Sequence, residues 1–318
     1  MQSYNVVVVG ATGLVGRTLI DVLMEQKFPI NKLILCASSK SIGKEILINN
    51  TKYKISEISK EVFLKSDFAF FCAGGNVSKE WAIVAKDCGC VVIDNSNFFR
   101  MNKDCSLIIP EVNFLDLNIN NIIANPNCST IQAVICLNAL KEYGLKRVIY
   151  QTYQSVSGSG NKALMNKDNY YLFNINDTCI PVVDKLTENG FSLEELKMIN
   201  ETRKILNKPN LNVTATCVRV PVDFCHGVSV LVELEKEFNV DEIVKVFKNS
   251  DGIIYEELPV STISCGKDMV YVGRVRKDLS NPKTLMFYCV ADNIRRGAAS
   301  NAVFTALKII KNCIAYKK

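Results

Sequence analysis

The feature that most constrains this chain is a glycine-spaced turn set between a buried strand and a helix, starting at Gly10. Asn5 to Val9 form a largely apolar run of the kind found in strands buried on both faces. Gly10-Ala11-Thr12-Gly13-Leu14-Val15-Gly16 follows at once, and apolar residues then recur at Val15, Leu19, Val22 and Leu23 with helical spacing. In that setting each glycine has a task. Gly10 permits a tight turn, Gly13 lets the backbone approach a pyrophosphate, and Gly16 lets the helix pack closely on the sheet. The helix N-terminus adds amide donors and positive dipole charge. The expected ligand is a dinucleotide, held by Gly10, Thr12, Gly13, Leu14 and Val15.

The rest of the N-terminal region continues the strand–helix alternation. Strands are expected over Leu33–Ala37, Phe68–Cys72, Val91–Asp94 and Ile122–Ala124, with a helix around Lys79–Cys88. This pattern predicts an α/β, doubly wound parallel sheet. After about residue 128 the pattern changes. A helix is expected over Ser129–Tyr143, then strands Val148–Tyr153, Val213–Val222, Val228–Leu234, Met269–Val275 and Thr284–Ala291. A helix near Leu193–Leu206 interrupts them, and a last helix is expected over Gly297–Cys313. That half reads as an α+β region with a mainly antiparallel sheet. At 318 residues the chain is long enough for two such domains.

The second strand ends in Ala37-Ser38-Ser39-Lys40-Ser41. An NAD enzyme commonly places Asp or Glu after that strand, to bind the ribose 2′-hydroxyl. Hydroxyls and a cation suit a 2′-phosphate, so Ser38, Ser39, Lys40 and Ser41 favour NADP(H).

Asn125-Pro126-Asn127-Cys128-Ser129-Thr130 places Cys128 at the start of the next helix. The dipole and unpaired amides there favour a thiolate, and could also stabilise an oxyanion after attack on a carbonyl. Cys36, Cys72 and Cys136 lie inside strands or on an apolar helix face and read as packing residues. His226 is the only histidine, and therefore the sole candidate for acid–base work near neutral pH.

Composition excludes several classes. A net charge of +6 comes with no basic run or arginine-rich stripe, so nucleic acid is not an expected partner. No apolar run reaches the length of a membrane span, and no charged segment with an apolar core precedes the first strand. Thirteen cysteines without a regular framework read as reduced thiols in a cytoplasmic compartment. Cys88 and Cys90 are close together, but with one histidine and no second cysteine pair nearby no zinc site is expected.

Taken together these stretches resemble the aspartate-semialdehyde dehydrogenases over essentially the whole chain. The matching segments are the GATGLVG turn, DNSNFFRM at 94–101, NPNCST at 125–130, TYQSVSGSG at 152–160, EELKMINETRKI at 194–205, RVPVDFCH at 219–226, VGRVRKD at 272–278 and DNIRRGAASNAV at 292–303. The resemblance implies Cys128 as the nucleophile that forms an acyl-enzyme, His226 as acid–base catalyst and Gln154 as the group orienting the intermediate. It implies Arg219 on the substrate carboxylate, Glu194 on its ammonium, and Arg100, Asn127 and Lys197 around phosphate. Gly74, Ser157 and Gly158 join the implied cofactor contacts. Taken without the resemblance, Glu194 and Lys197 would be a solvated ion pair on one helix face.

The implied reaction is the reversible NADPH-dependent conversion of L-aspartyl 4-phosphate to L-aspartate 4-semialdehyde, on the route to lysine, threonine and methionine. The expected organisation is residues 1–127 with 298–318 as the nucleotide domain, and 128–297 as the catalytic and dimerisation domain of a homodimer, with tetramers as an extension. Three positions depart from the family pattern. Cys225 and Gly227 flank His226 where many relatives have Gly and Ser, and Phe304 stands where many have Gln. Two rivals compete with this reading. One is N-acetyl-γ-glutamyl-phosphate reductase, whose cysteine typically sits in a Gly-Cys-Tyr-Pro-Thr context. The other is a non-catalytic relative, which would be free to lose Cys128, Gln154, Arg219 or His226.

Overall fold

Eight strands form the sheet of the first unit: β1 (Tyr4–Val9), β2 (Ile30–Cys36), β3 (Glu45–Ile48), β4 (Thr51–Ser56), β5 (Phe68–Phe71), β6 (Val91–Asp94), β7 (Ser106–Leu107) and β8 (Ile123–Ala124). Their order is β3-β4-β2-β1-β5-β6-β8-β7, and every neighbouring pair is parallel except β3 with β4. Central β1 is covered on both faces. Val6 and Val8 join a core with Leu19 and Leu23 of the helix Leu14–Glu25 and with Val303, Ala306 and Ile310 of the C-terminal helix Ser300–Tyr316. Val7 and Val9, pointing the other way, are equally buried. The computed structural model describes residues 2–316, and the chain divides into this unit, Met1–Pro126 with Ala298–Lys318, and a second, Asn127–Gly297.

The second unit holds β9 (Leu145–Gln154), β10 (Asn212–Arg219), β11 (His226–Leu234), β12 (Ile253–Tyr255), β13 (Val270–Lys277) and β14 (Thr284–Ala291), in the order β10-β9-β11-β14-β13-β12. Three pairs are antiparallel: β9 with β11, β11 with β14, and β13 with β14. Two pairs, β9 with β10 and β12 with β13, are parallel. The helix Cys128–Ala139 packs on this sheet beneath the helices Leu193–Ile205 and Val240–Lys248. Every residue from Ser129 to Leu137 is buried, as a helix enclosed on all sides requires.

Several expected boundaries move, each for a physical reason. The Cys128 helix ends at Ala139, and a short 3-10 turn, Lys141–Tyr143, carries the chain to Gly144. β10 stops at Arg219, because Pro221 has no amide for the ladder. The next strand begins two residues earlier than expected, so that His226 opens β11. The last helix starts at Ser300, after a π-turn over Arg295–Ala299 rather than at Gly297. The β3–β4 hairpin, β7, β12 and the helix Val240–Lys248 were not anticipated.

Candidate active site

In the first unit the glycine turn is sterically determined. Gly10 has φ +87°, and a Cβ there would lie 2.6 Å from the Cys72 carbonyl oxygen. A Cβ on Gly16 would fall inside the Gly10 carbonyl. The result is a cavity of about 360 Å³ at the carboxyl edge of β1, β2 and β5, lined among others by Gly10, Thr12, Gly13, Ser38 and Ser39. Leu14, Val15, Gly74, Lys40 and Ser41 are not on that lining. Leu14 opens the adjoining helix with Val15 next, and Gly74 caps the helix Gly75–Asp87. Lys40 and Ser41 lie in the 3-10 turn beside Ser38. Sequence reading missed Glu57 and Trp81, which reach the lining from the segment just after β4 and from the helix Gly75–Asp87. Arg100 belongs to this unit, where its Nη2 donates to the Asn95 carbonyl at 3.0 Å.

The second unit gathers its polar residues from segments far apart along the chain. Cys128 is the first residue of its helix and half-buried. Asn127 caps that helix, its Oδ1 accepting from the amides of Ser129 at 3.0 Å and Thr130 at 3.2 Å. The Asn127 Nδ2 donates to Glu194 Oε1 at 2.8 Å, and its backbone amide to Glu201 Oε2 at 2.6 Å. Gly297 packs against the cysteine so tightly that a Cβ would lie 2.6 Å from Cys128 Cβ.

Glu194 is placed by a capping box at the start of Leu193–Ile205, where Ser192 and Glu195 bond reciprocally. Glu195 Oε1 also accepts from the Cys217 amide at 3.0 Å, tying the helix to β10. Gln154 Nε2 donates to Glu194 Oε1 at 3.2 Å, and Lys197 Nζ to Glu194 Oε2 at 3.0 Å. Glu194 and Lys197 thus form the ion pair their spacing suggested, but Glu194 is 5% exposed, so the pair is built in rather than solvated. Burial alone would push its carboxyl up. Lys197, Asn127 and Gln154 outweigh that and hold it below the ordinary carboxylate range. A second carboxylate, Asp184 at φ 69°, takes Lys197 Nζ at 2.8 Å and was not anticipated.

His226 is fully buried. Its Nδ1 accepts from the Ser155 amide at 3.0 Å, so a neutral ring carries its proton on Nε2, which has no hydrogen-bond partner among the described residues. Burial first, then the Arg219 charge, holds the imidazole well below its usual pKa. Gln132, one turn along the Cys128 helix, donates to the His226 carbonyl at 3.0 Å and ties that helix to β11. Arg219 Nη1 donates to the Ser155 carbonyl at 2.6 Å. Gly158 makes room for both groups: a Cβ there would lie 2.9 Å from Arg219 Nη1 and 3.0 Å from His226 Nε2.

Behind this corner Asn293 acts as a hub that sequence reading did not single out. Its Oδ1 accepts from the Cys225 amide at 2.9 Å and from the hydroxyls of Ser155 and Ser157 at 3.1 Å each. Ser157 is buried within that network. Cys225 takes φ 73°, a conformation natural to glycine, while a Cβ on Gly227 would fall inside the Tyr288 hydroxyl. Phe304 lies half-buried in the C-terminal helix of the first unit.

A glycine-turn nucleotide cradle and a cysteine at a helix start in an antiparallel-sheet unit define the semialdehyde dehydrogenase class. Two family models agree: "Semialdehyde dehydrogenase, NAD binding domain" matches residues 5–119, and "Semialdehyde dehydrogenase, dimerisation domain" matches residues 137–296. The aspartate-semialdehyde dehydrogenase of Aquifex aeolicus is 43% identical over 98% of this chain and 99% of its own length. That of Helicobacter pylori is 42% identical over 98% of this chain and 100% of its own length. A structure of aspartate semialdehyde dehydrogenase II from Vibrio cholerae complexed with ASA superposes with a TM-score of 0.93 at 38% identity, covering 98% of this chain and 99% of that one. The chain belongs to the aspartate-semialdehyde dehydrogenase family.

Proposed function

We propose that this protein catalyses the reversible, NADPH-dependent reductive dephosphorylation of L-aspartyl 4-phosphate to L-aspartate 4-semialdehyde, with Cys128 as the covalent nucleophile. The observation that carries the reading is Cys128 at the head of a buried helix whose cap, Asn127, is bonded into the Glu194–Gln154–Lys197 network. Likeness along the whole chain to enzymes of that name supports it.

The cavity at Gly10 fits a dinucleotide: the turn cannot carry a Cβ, a helix N-terminus faces it, and its volume suits a cofactor segment. Gly10, Thr12, Gly13, Leu14 and Val15 would hold the pyrophosphate. Ser38, Ser39, Lys40 and Ser41 would hold a 2′-phosphate, and Gly74, Ser157 and Gly158 would complete the site. Glu57 adds a carboxylate to the lining, which a 2′-phosphate must avoid; Ser38 and Ser39 on the lining and Lys40 in the adjoining turn favour NADP(H) over NAD(H). When bound, the cofactor supplies the hydride that reduces the thioester.

This chain's own residues do the rest. The Cys128 thiolate attacks the 4-carbonyl, phosphate leaves, and a thioester forms. The positive end of the helix dipole at Cys128 favours the oxyanion, and Gln154 orients it. His226, the group proposed for the proton work, is a neutral imidazole here and meets that oxygen with an Nε2–H hydrogen bond, stabilising its charge without giving up the only ring proton. Arg219 grips the α-carboxylate with donors not used on Ser155, and Glu194 meets the ammonium. Lys197, Asn127 and Arg100 receive phosphate. Reduced thiols suit a cytoplasmic setting. The six-stranded sheet presents Tyr153, Ser229, Arg274, Arg276 and Tyr288 around an open depression, the face on which a homodimer would form.

The test is steady-state turnover in the phosphorolytic direction with both cofactors, comparing aspartate and N-acetylglutamate semialdehydes. Phosphate-dependent NADPH formation from the aspartate compound is expected. Preference for the N-acetylglutamate compound, or cofactor binding without turnover, would overturn the assignment.

A further inference from the structure

The sequence offers no zinc framework, but the fold assembles one possible ligand set from residues distant along the chain. The sulfurs of Cys225 and Cys265 and a carboxylate oxygen of Asp292 all lie within 4.8 Å of one another. We propose that Cys225, Cys265 and Asp292 form a binding site for a thiophilic divalent cation of the Zn²⁺ or Cd²⁺ class, directly behind His226.

The donor chemistry and the surroundings agree. The Cys225 thiol donates to the Ser261 carbonyl at 3.3 Å, so an incoming ion must displace that proton; two sulfurs deprotonated on binding and one carboxylate then give three negative charges and the softness that favours zinc-like ions over magnesium or calcium. Tetrahedral coordination at zinc–sulfur lengths of about 2.3 Å separates two sulfurs by roughly 3.8 Å, within side-chain rotation of the spacing present. Asp292 is almost fully buried and already oriented: Oδ2 accepts from the Gly266 amide at 2.8 Å, and Oδ1 from the amides of Ile294 and Arg295 at 2.9 Å each. Such outer contacts fix a ligating carboxylate. Cys225 is buried and Cys265 exposed, so the site has one door to solvent and leaves the fourth position to water. The backbone at Cys225 is left-handed, at φ 73°, a conformation that a residue with a Cβ adopts only under constraint. That strained conformation aims its sulfur at the pair.

Each of two ligands is adjacent in sequence to a group that orders the imidazole. Cys225 precedes His226, and Asp292 precedes Asn293, whose Oδ1 holds both the Cys225 amide and Ser155. Ser155 in turn donates to His226 Nδ1. A cation drawing Cys225, Cys265 and Asp292 together would shift that frame and lower kcat with little change in KM. Only this consequence for turnover rests on the proposed activity; binding of the cation does not.

The experiment titrates Co²⁺ into the full-length Cys128→Ser protein under a thiol-free reductant, so that the Cys128 thiol cannot contribute. One equivalent should bind with thiolate-to-cobalt charge-transfer absorption. A Cys128→Ser/Cys265→Ser double variant should lose the band and bind at least tenfold more weakly. Absence of the band in the single variant, or its survival in the double, would overturn the site. In the otherwise native chain, Cys265→Ser should keep basal turnover and lose at least tenfold in sensitivity to Zn²⁺. Equal inhibition with and without Cys265 would put the inhibitory ion elsewhere and break the link to His226.

Discussion

The two units build their sites in opposite ways. At Gly10 the first unit makes a hollow, shaped by missing side chains and lined by small residues and backbone. At Cys128 the second unit makes a closed lattice, in which Asn127, Gln154, Glu194 and Lys197 already satisfy one another. A hollow recognises by shape and by amides that one short segment provides. A lattice recognises by exchange: substrate groups must displace bonds the protein makes to itself. The first tolerates polar substitution at its rim, whereas the second should fail when any charge-bearing member is cut.

The sharpest way to break that contrast is Cys128→Ala. Turnover should fall by roughly 10⁴-fold or more while NADPH binding by titration stays nearly intact. Joint loss of both would mean that the cysteine holds the fold rather than the reaction. Next in size, Gly158→Ala should lower kcat/KM by about 10²-fold, because its Cβ meets Arg219 and His226 together. Normal kinetics in that variant would show that the corner is softer than its distances imply. On the hollow side, Lys40→Ala should weaken NADPH about tenfold, or roughly 1.4 kcal/mol, and NADH far less. Equal losses would remove Lys40 from the 2′-phosphate. Smaller again, Asp184→Asn should change the KM for phosphate a few-fold, since Asp184 competes with phosphate for the Lys197 ammonium. An unchanged KM would make that contact structural only.

A pH series sharpens the lattice further. The folded-state pKa of Glu194 is depressed, so its contribution to stability is fully present above the unfolded value. That contribution is lost as pH falls through the folded value, in the acid range below about 4.5. Denaturation midpoints should therefore drop less steeply on acidification for Glu194→Gln than for the parent chain.

The same contrast explains what was legible from sequence. The glycine turn, β1 and the following helix are local, so spacing and apolar runs reveal them without knowledge of anything distant. The capping position of Asn127 and the helix start at Cys128 are local too. By contrast, no spacing signals Asn293, Asp184 or the convergence of Cys225 with Cys265, because their partners come from far along the chain. Two misses carried a usable signal. Asn49-Asn50 is a pair of the residue type that tolerates positive φ, and both take it in the two-residue turn that closes the β3–β4 hairpin. Pro221 likewise marked where β10 had to end.

The central claim is a covalent bond between Cys128 and the substrate acyl group. Rapid mixing of the protein with L-aspartate 4-semialdehyde and NADP⁺ in the absence of phosphate tests it directly. The account predicts a burst of one NADPH per chain, with an aspartyl adduct mapped by peptide mass to Cys128. An adduct on another cysteine, or no burst from protein that turns over steadily once phosphate is added, would contradict it.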